Sequence, residues 1–237
     1  MGLVPEDTDN TIAHPRGLIL TLSLVIAMRF AETFLSYLTG IGLTITSVKE
    51  LLISNGLNVL FFCALLSAAK SFGRIEVGRF FFSRLPQAGE VLRWGFLGVI
   101  LSIPAFAHAG ELPTYFGYEG YMTFTLLSIL RSAILMPCIE ETLFRGICFA
   151  SLLRVGRIWA YSISTLLFLL SHVRLVTLIV RGSPDLTLSH TVIIIVFGLV
   201  ASYIYEKTGK LTLCIIFHAA GNAFVTSRPF FMYLFDQ

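Results

Sequence analysis

Ile134-Leu135-Met136-Pro137-Cys138-Ile139-Glu140-Glu141-Thr142-Leu143-Phe144-Arg145-Gly146-Ile147-Cys148-Phe149-Ala150 sets two adjacent carboxylates and an arginine into an otherwise apolar run. Ionisable groups inside membrane helices are costly, and function is the default reason for keeping them. On a helix Glu141 and Arg145 stand four apart, carboxylate first, the favourable order for an ion pair. Glu140 points about 100° away. The spacing predicts a division of labour: Glu141 is clamped by the arginine, and Glu140 is left free for chemistry. Pro137 removes a main-chain donor and predicts a kink that opens a new helical half. The glutamates would then lie near a helix N-terminus, whose dipole favours carboxylates.

The rest of the chain supports a membrane reading. Hydrophobic residues make up 56% and charged residues 13% of 237, and the mean hydropathy is +0.83. A soluble domain carries about 25% charged residues. We expect a single all-α integral-membrane domain over residues 1–237, a polytopic bundle of about seven transmembrane helices. A hydrocarbon core about 30 Å thick needs roughly 20 apolar residues per helix. The candidate spans are 17–45, 51–69, 94–109, 122–153, 158–171, 190–205 and 211–235. Between the second and third lies an amphipathic stretch with Lys70, Arg74, Arg79, Arg84 and Arg93 around Phe80-Phe81-Phe82. That composition predicts a segment on the membrane surface.

Basic residues orient this map. With the N-terminus inside, Arg16, Lys70, Arg74, Arg79, Arg84, Arg93, Arg154, Arg157, Lys207 and Lys210 fall on the inner side. Lys49, Arg174, Arg181 and Arg228 fall on the other, an asymmetry of the positive-inside kind. The net charge of +3 therefore gives no reason to expect nucleic acid as a partner. The polar first sixteen residues predict no cleavable signal peptide. Glu6 stands where a myristoylation site wants Ser or Thr, and the last four residues are not a prenylation box. Cys63, Cys138, Cys148 and Cys214 all lie in apolar segments without metal-ligand spacing and read as small hydrophobes. Cys138 has no obvious base at helical spacing to make it a nucleophile.

Further polar groups interrupt the later spans: His172 after Phe168-Leu169-Leu170-Ser171, then His218 and Asn222 in His-Ala-Ala-Gly-Asn. His218 and Asn222 are four apart and share one helix face. Helical rise puts Glu140 about 21 Å from the inner boundary at Arg154, and His172 about 21 Å beyond Ile158. His218 and Asn222 lie roughly 10 and 16 Å past Leu211. Helices entering from different directions thus bring these groups to similar depth. Each has a plainer reading: interhelical glue for His218 and Asn222, an interfacial position for His172, packing for Phe168. Arg29 and Glu32 read as a pair within the first span.

Taken together, the motifs resemble the CPBP family of CAAX-prenyl endopeptidases and bacteriocin-processing intramembrane proteases. Its pattern is EExxxR, FxxxH and HxxxN on separate membrane helices. Here these are Glu140-Glu141…Arg145, Phe168…His172 and His218…Asn222, in that order, and the Tyr205 to Lys210 turn is similar as well. The resemblance covers Ser132 to Thr226, the motif-bearing core 132–226. It implies an intramembrane glutamic endopeptidase of a compact bacterial type, multi-pass in the cell (inner) membrane. The implied substrate is a membrane-associated peptide or protein, with or without a lipid, cut near its C-terminus or membrane segment. Glu140 is then the general base, with His172 helping to hold and activate water. His218 and Asn222 donate to the oxyanion, while Glu141, Arg145 and Phe168 support them. No cofactor and no metal are implied.

The rivals are a zinc protease, a proton-coupled transporter, and a non-catalytic scaffold or immunity protein of the same fold. Two histidines and a glutamate are a known zinc ligand set, but none of the five histidines begins an HExxH. Transport would lead one to expect two halves with matching broken helices, and none is evident.

Overall fold

The computed structural model describes residues 19, 22, 23, 26, 48–73, 85–108, 118–173 and 187–235. Among them all regular structure is helical. We label the helices α1 (Val48–Gly73), α2 (Ala88–His108), α3 (118–152), α4 (Arg157–His172), α5 (Leu188–Thr208) and α6 (Leu211–Phe235).

The expected spans from 51 to 235 each fall on one of these helices. The span expected at 17–45 lies almost wholly outside the described residues, as do Arg29, Glu32 and most of the connector with Phe80-Phe81-Phe82. The connector also ends sooner than expected, because α2 begins at Ala88 and takes in Arg93. Among the described residues three helical stretches have the length and composition to cross a membrane: Ala88–Ala107, Thr123–Leu152 and Leu188–Thr208. Leu51–Ser67 is a shorter apolar helix. α4 has 16 residues, about 24 Å of rise, less than the hydrocarbon thickness.

α3 is the axis on which the site is built, and it is not a plain α-helix. Two π-helical segments, Leu130–Leu135 and Thr142–Phe149, flank the α-helical Met136–Glu141. Widened turns of this kind recur at functional sites. The kink expected at Pro137 does not break the rod: Leu135, Met136 and Thr142 all keep right-handed helical backbone. The π segment absorbs the proline, whose missing N–H falls where the ladder is already displaced. With no open N-terminus before Glu140, the dipole argument for these carboxylates falls away.

α1 runs alongside α3 in the same direction. Asn55 near its start donates to the Leu127 carbonyl (3.3 Å), and Leu65 farther on packs with Ile139, Leu143 and Phe144. α6 runs opposite to α3, since His218 meets Glu141 and Asn222 meets Ser132. The closest helix crossing is α2 on α6. A Cβ at Gly98 would lie 2.1 Å from the Phe217 carbonyl oxygen, and one at Gly221 2.4 Å from Ser102 Oγ. Small residues let membrane helices approach this closely. Phe106 and Phe224 stack across the same seam, 4.4 Å between centroids.

Helix ends at one end of the bundle are tied by ion pairs. Lys210 Nζ meets Glu90 Oε2 at 2.6 Å, joining α6 to α2. Arg157 and Tyr161 of α4 both reach Glu206 of α5, at 2.7 Å each. The α5–α6 turn closes on Gly209 at φ 64°, whose N–H bonds the Tyr205 carbonyl (2.8 Å). Glycine takes that left-handed C-cap conformation without steric cost.

Candidate active site

The Glu140-Glu141 pair occupies the end of the short α-helical stretch in α3, and both side chains are buried. Glu141 and Arg145 form an ion pair at 3.0 Å, with both side chains fully enclosed. Burial of this kind is tolerable only when the charges are matched and their remaining hydrogens placed. Arg145 meets this condition in part, through three elements, while its Nε and Glu141 Oε2 have no hydrogen-bond partner among the described residues. Its Nη1 goes to Glu141 Oε1, its Nη2 donates to the Gly198 carbonyl on α5 (2.9 Å), and its guanidinium covers the Phe168 ring on α4 at 4.4 Å. Gly198 permits the close approach: a Cβ there would sit 3.4 Å from Arg145 Nη2 and 3.1 Å from Thr165 Cγ2.

His218 on α6 lies between the carboxylates. Its Nδ1 is 2.8 Å from Glu141 Oε1, and its Nε2 is 3.7 Å from Glu140 Oε2. A carboxylate paired with arginine only accepts hydrogen bonds, so the Nδ1 hydrogen points at Glu141. Nε2 then faces Glu140 as an acceptor in the neutral ring or as a donor in the imidazolium. Edge-on rings hold the imidazole from both sides, Phe197 at 5.3 Å and Phe168 at 5.8 Å between centroids.

Glu140 differs from its neighbour in having no hydrogen bond among the described residues. Its one polar approach is the 3.7 Å separation from His218, too long for a direct bond. Buried, held on a rigid rod and not committed to a partner, it is the available carboxylate.

His172 ends α4 and is half-buried. Its Nδ1 lies 2.8 Å from the Phe168 carbonyl. A carbonyl only accepts, so Nδ1 carries the hydrogen and Nε2 presents its lone pair. The ring packs edge-on to Phe168 at 4.7 Å. Asn222, one turn beyond His218, donates from Nδ2 to the Ser132 carbonyl at 2.8 Å. Direct contacts thus gather Glu140, Glu141, Arg145, Phe168 and His218, with His172 joined through Phe168. Among the described residues neither His172 nor Asn222 hydrogen-bonds Glu140.

Four residues that the motifs do not include also build the site: Phe197, Gly198, Ser132 and Ser164. Ser164 donates to the Phe144 carbonyl (2.9 Å), pinning α4 to the second π segment. Gly198 and Ser132 could have been suspected as small or polar residues within apolar helices. Phe197 carries no sequence signal that sets it apart among 21 phenylalanines. Cys138, Cys148 and Cys214 are free thiols near the site or in the core, and exposed Cys63 is free too. Among the described residues no three His, Cys, Asp or Glu side chains are grouped as metal ligands.

Residues 122–224 match the family described as type II CAAX prenyl endopeptidase, Rce1-like. Over these residues the chain is similar to the Rce1-like family. The matched segment runs from the start of α3 into α6 and contains every residue of the three motifs. It leaves out α1 and α2. No curated protein and no solved structure matches the chain. The Rce1-like family is a family of proteases, and the match together with the apolar helices supports an integral-membrane protein. A CAAX protease family points to membrane-associated protein as the kind of substrate.

Proposed function

We propose that this Rce1-like chain is a metal-independent glutamic endopeptidase of about seven membrane crossings. It cuts a membrane-associated protein, with or without a lipid, near its C-terminus or membrane segment, and its home is a bacterial cell membrane. The observation that carries this reading is the contrast between the adjacent carboxylates: Glu141 is consumed by Arg145 and His218, and Glu140 is buried but uncommitted.

In the proposed reaction Glu140 takes a proton from a water molecule, helped by the Nε2 lone pair of His172. The water oxygen adds to the scissile carbonyl carbon, and the carbonyl oxygen becomes an oxyanion. Protonated His218 donates to that oxygen through Nε2, and Asn222 donates through the amide hydrogen not used on Ser132. The C–N bond then breaks, the proton held by Glu140 passes to the leaving nitrogen, and a carboxylate and an amine are released. Glu141 keeps the Nδ1 side of His218 anchored throughout. No side chain is acylated.

The test uses purified protein and internally quenched peptides with a farnesylated CaaX terminus, beside unlipidated membrane-segment peptides. Glu140→Gln should abolish cleavage while leaving thermal unfolding in the same detergent unchanged, because the amide keeps the shape and removes the base. Wild-type cleavage by that variant would overturn the reading, and a non-catalytic scaffold would cleave none of the probes in either form. Activity should survive prolonged EDTA or phenanthroline. Inactivation reversed by added zinc would replace the glutamic mechanism with a metal-dependent one.

A further inference from the structure

Asn222 is attached to a main-chain carbonyl that α3 cannot satisfy by itself. In the π segment Leu130–Leu135 the ladder is displaced by one residue, and the Met136 N–H bonds the Arg131 carbonyl. The next carbonyl in that register belongs to Ser132, and its partner would be the N–H of residue 137. Residue 137 is proline, which has none. A main-chain acceptor left without a donor is costly in a buried, apolar setting.

The partner comes from α6. Asn222 Nδ2 donates to the Ser132 oxygen at 2.8 Å. Four residues on, Thr226 Oγ1 meets Ser132 Oγ at 2.8 Å, so two successive turns of α6 grip one residue of α3. Because a carbonyl only accepts, the nitrogen of the Asn222 amide must face it. That sets the amide plane and, with it, the direction of the second N–H.

We infer that Pro137 is a positioning residue: by withholding its N–H it reserves the Ser132 carbonyl as the anchor that orients the Asn222 amide. The consequence for catalysis rests on the reading of Asn222 as an oxyanion donor, whereas the anchor itself does not. In a Pro137→Ala protein the new N–H competes for the same carbonyl and the amide is released.

Two readouts separate the anchor from the protease reading. The first is a double-mutant cycle in thermal unfolding with Asn222→Ala and Pro137→Ala. Asn222→Ala should lower the melting temperature clearly in the wild-type background and by less than half as much beside Pro137→Ala. Equal losses in both backgrounds would overturn the anchor, whatever the cleavage data say. If Pro137→Ala does not fold, the wild-type protein labelled with ¹⁵N-asparagine decides. Of the two Asn222 Nδ2 protons, assigned by their loss in Asn222→Ala, the one facing Ser132 should be strongly protected from solvent exchange; two protons exchanging as fast as those of an exposed asparagine would overturn it. The second readout is turnover of the farnesylated CaaX probe. Pro137→Ala should lower kcat by up to about 10²-fold, as misplacement of a catalytic group does, with KM little changed. A raised KM at unchanged kcat would overturn the positioning role while leaving the protease assignment intact.

Discussion

Two sets of carboxylate–cation contacts in this molecule use the same chemistry in opposite settings. At one end of the helices, Arg157 pairs with Glu206 while 70% of its own side chain stays exposed. In the interior, Arg145 pairs with Glu141 with neither side chain exposed at all. The outer pair can exchange its partner for water with little loss, so it ties helix ends without deciding whether they assemble. The inner pair has no such alternative. Its second cationic nitrogen is spent on the Gly198 carbonyl, its π face on Phe168, and the shared carboxylate oxygen on His218. One ion pair thereby fixes α3, α4, α5 and α6 around Glu140.

The largest break should come from removing one partner of the inner pair. Arg145→Ala or Glu141→Gln should destabilise the fold by about 3–5 kcal/mol, because the remaining charge is stranded in a low-dielectric site. This is read as reduced folded protein and earlier unfolding in one detergent. Stability equal to wild type would erase the difference between the two regions. A smaller effect is expected from Gly198→Ala. The added methyl would lie 3.3 Å from Phe168 Cδ1 and 3.4 Å from Arg145 Nη2, and overpacking of this kind costs about 1–3 kcal/mol. Gly56, where a Cβ meets nothing within 4 Å, is the matched control and should tolerate alanine. Glu206→Gln should be the mildest of the three, and whatever it does should fade as salt is raised. A salt-independent loss comparable to that of Arg145→Ala would mean that the outer contact is structural in the same sense as the inner one.

What could be read in the sequence divides along similar lines. Helix positions were legible because apolar runs of bilayer length leave the backbone little choice. The Glu141–Arg145 pairing followed from four-residue spacing on one face. Features that depend on which helix meets which were not legible. His218 and Asn222 share a face, yet the structure sends one to the glutamates and the other to Ser132. Spacing along α6 cannot reveal the widened turn of α3 that separates those two targets. Phe197 was invisible for the same reason, since its role exists only once α5 lies beside His218. Pro137 was read as a kink that opens a new helical half; it does stand in the first turn of the α-helical stretch Met136–Glu141, but the preceding π segment runs into that stretch without an open helix end.

The widened turns of α3 carry a consequence for how this stretch tolerates change in length. A π turn is a helix holding one residue more than its hydrogen-bond ladder needs. Removing a single residue from Leu130–Leu135 lets the ladder close in the ordinary way, and because an i→i+4 turn and an i→i+5 turn rotate the chain by nearly the same angle, Glu140 and Glu141 keep their direction. A residue added to or removed from an ordinary turn would instead swing everything beyond it by about 100°. The widened turns are thus the places in α3 where a change of length can be absorbed without turning the carboxylates away from His218.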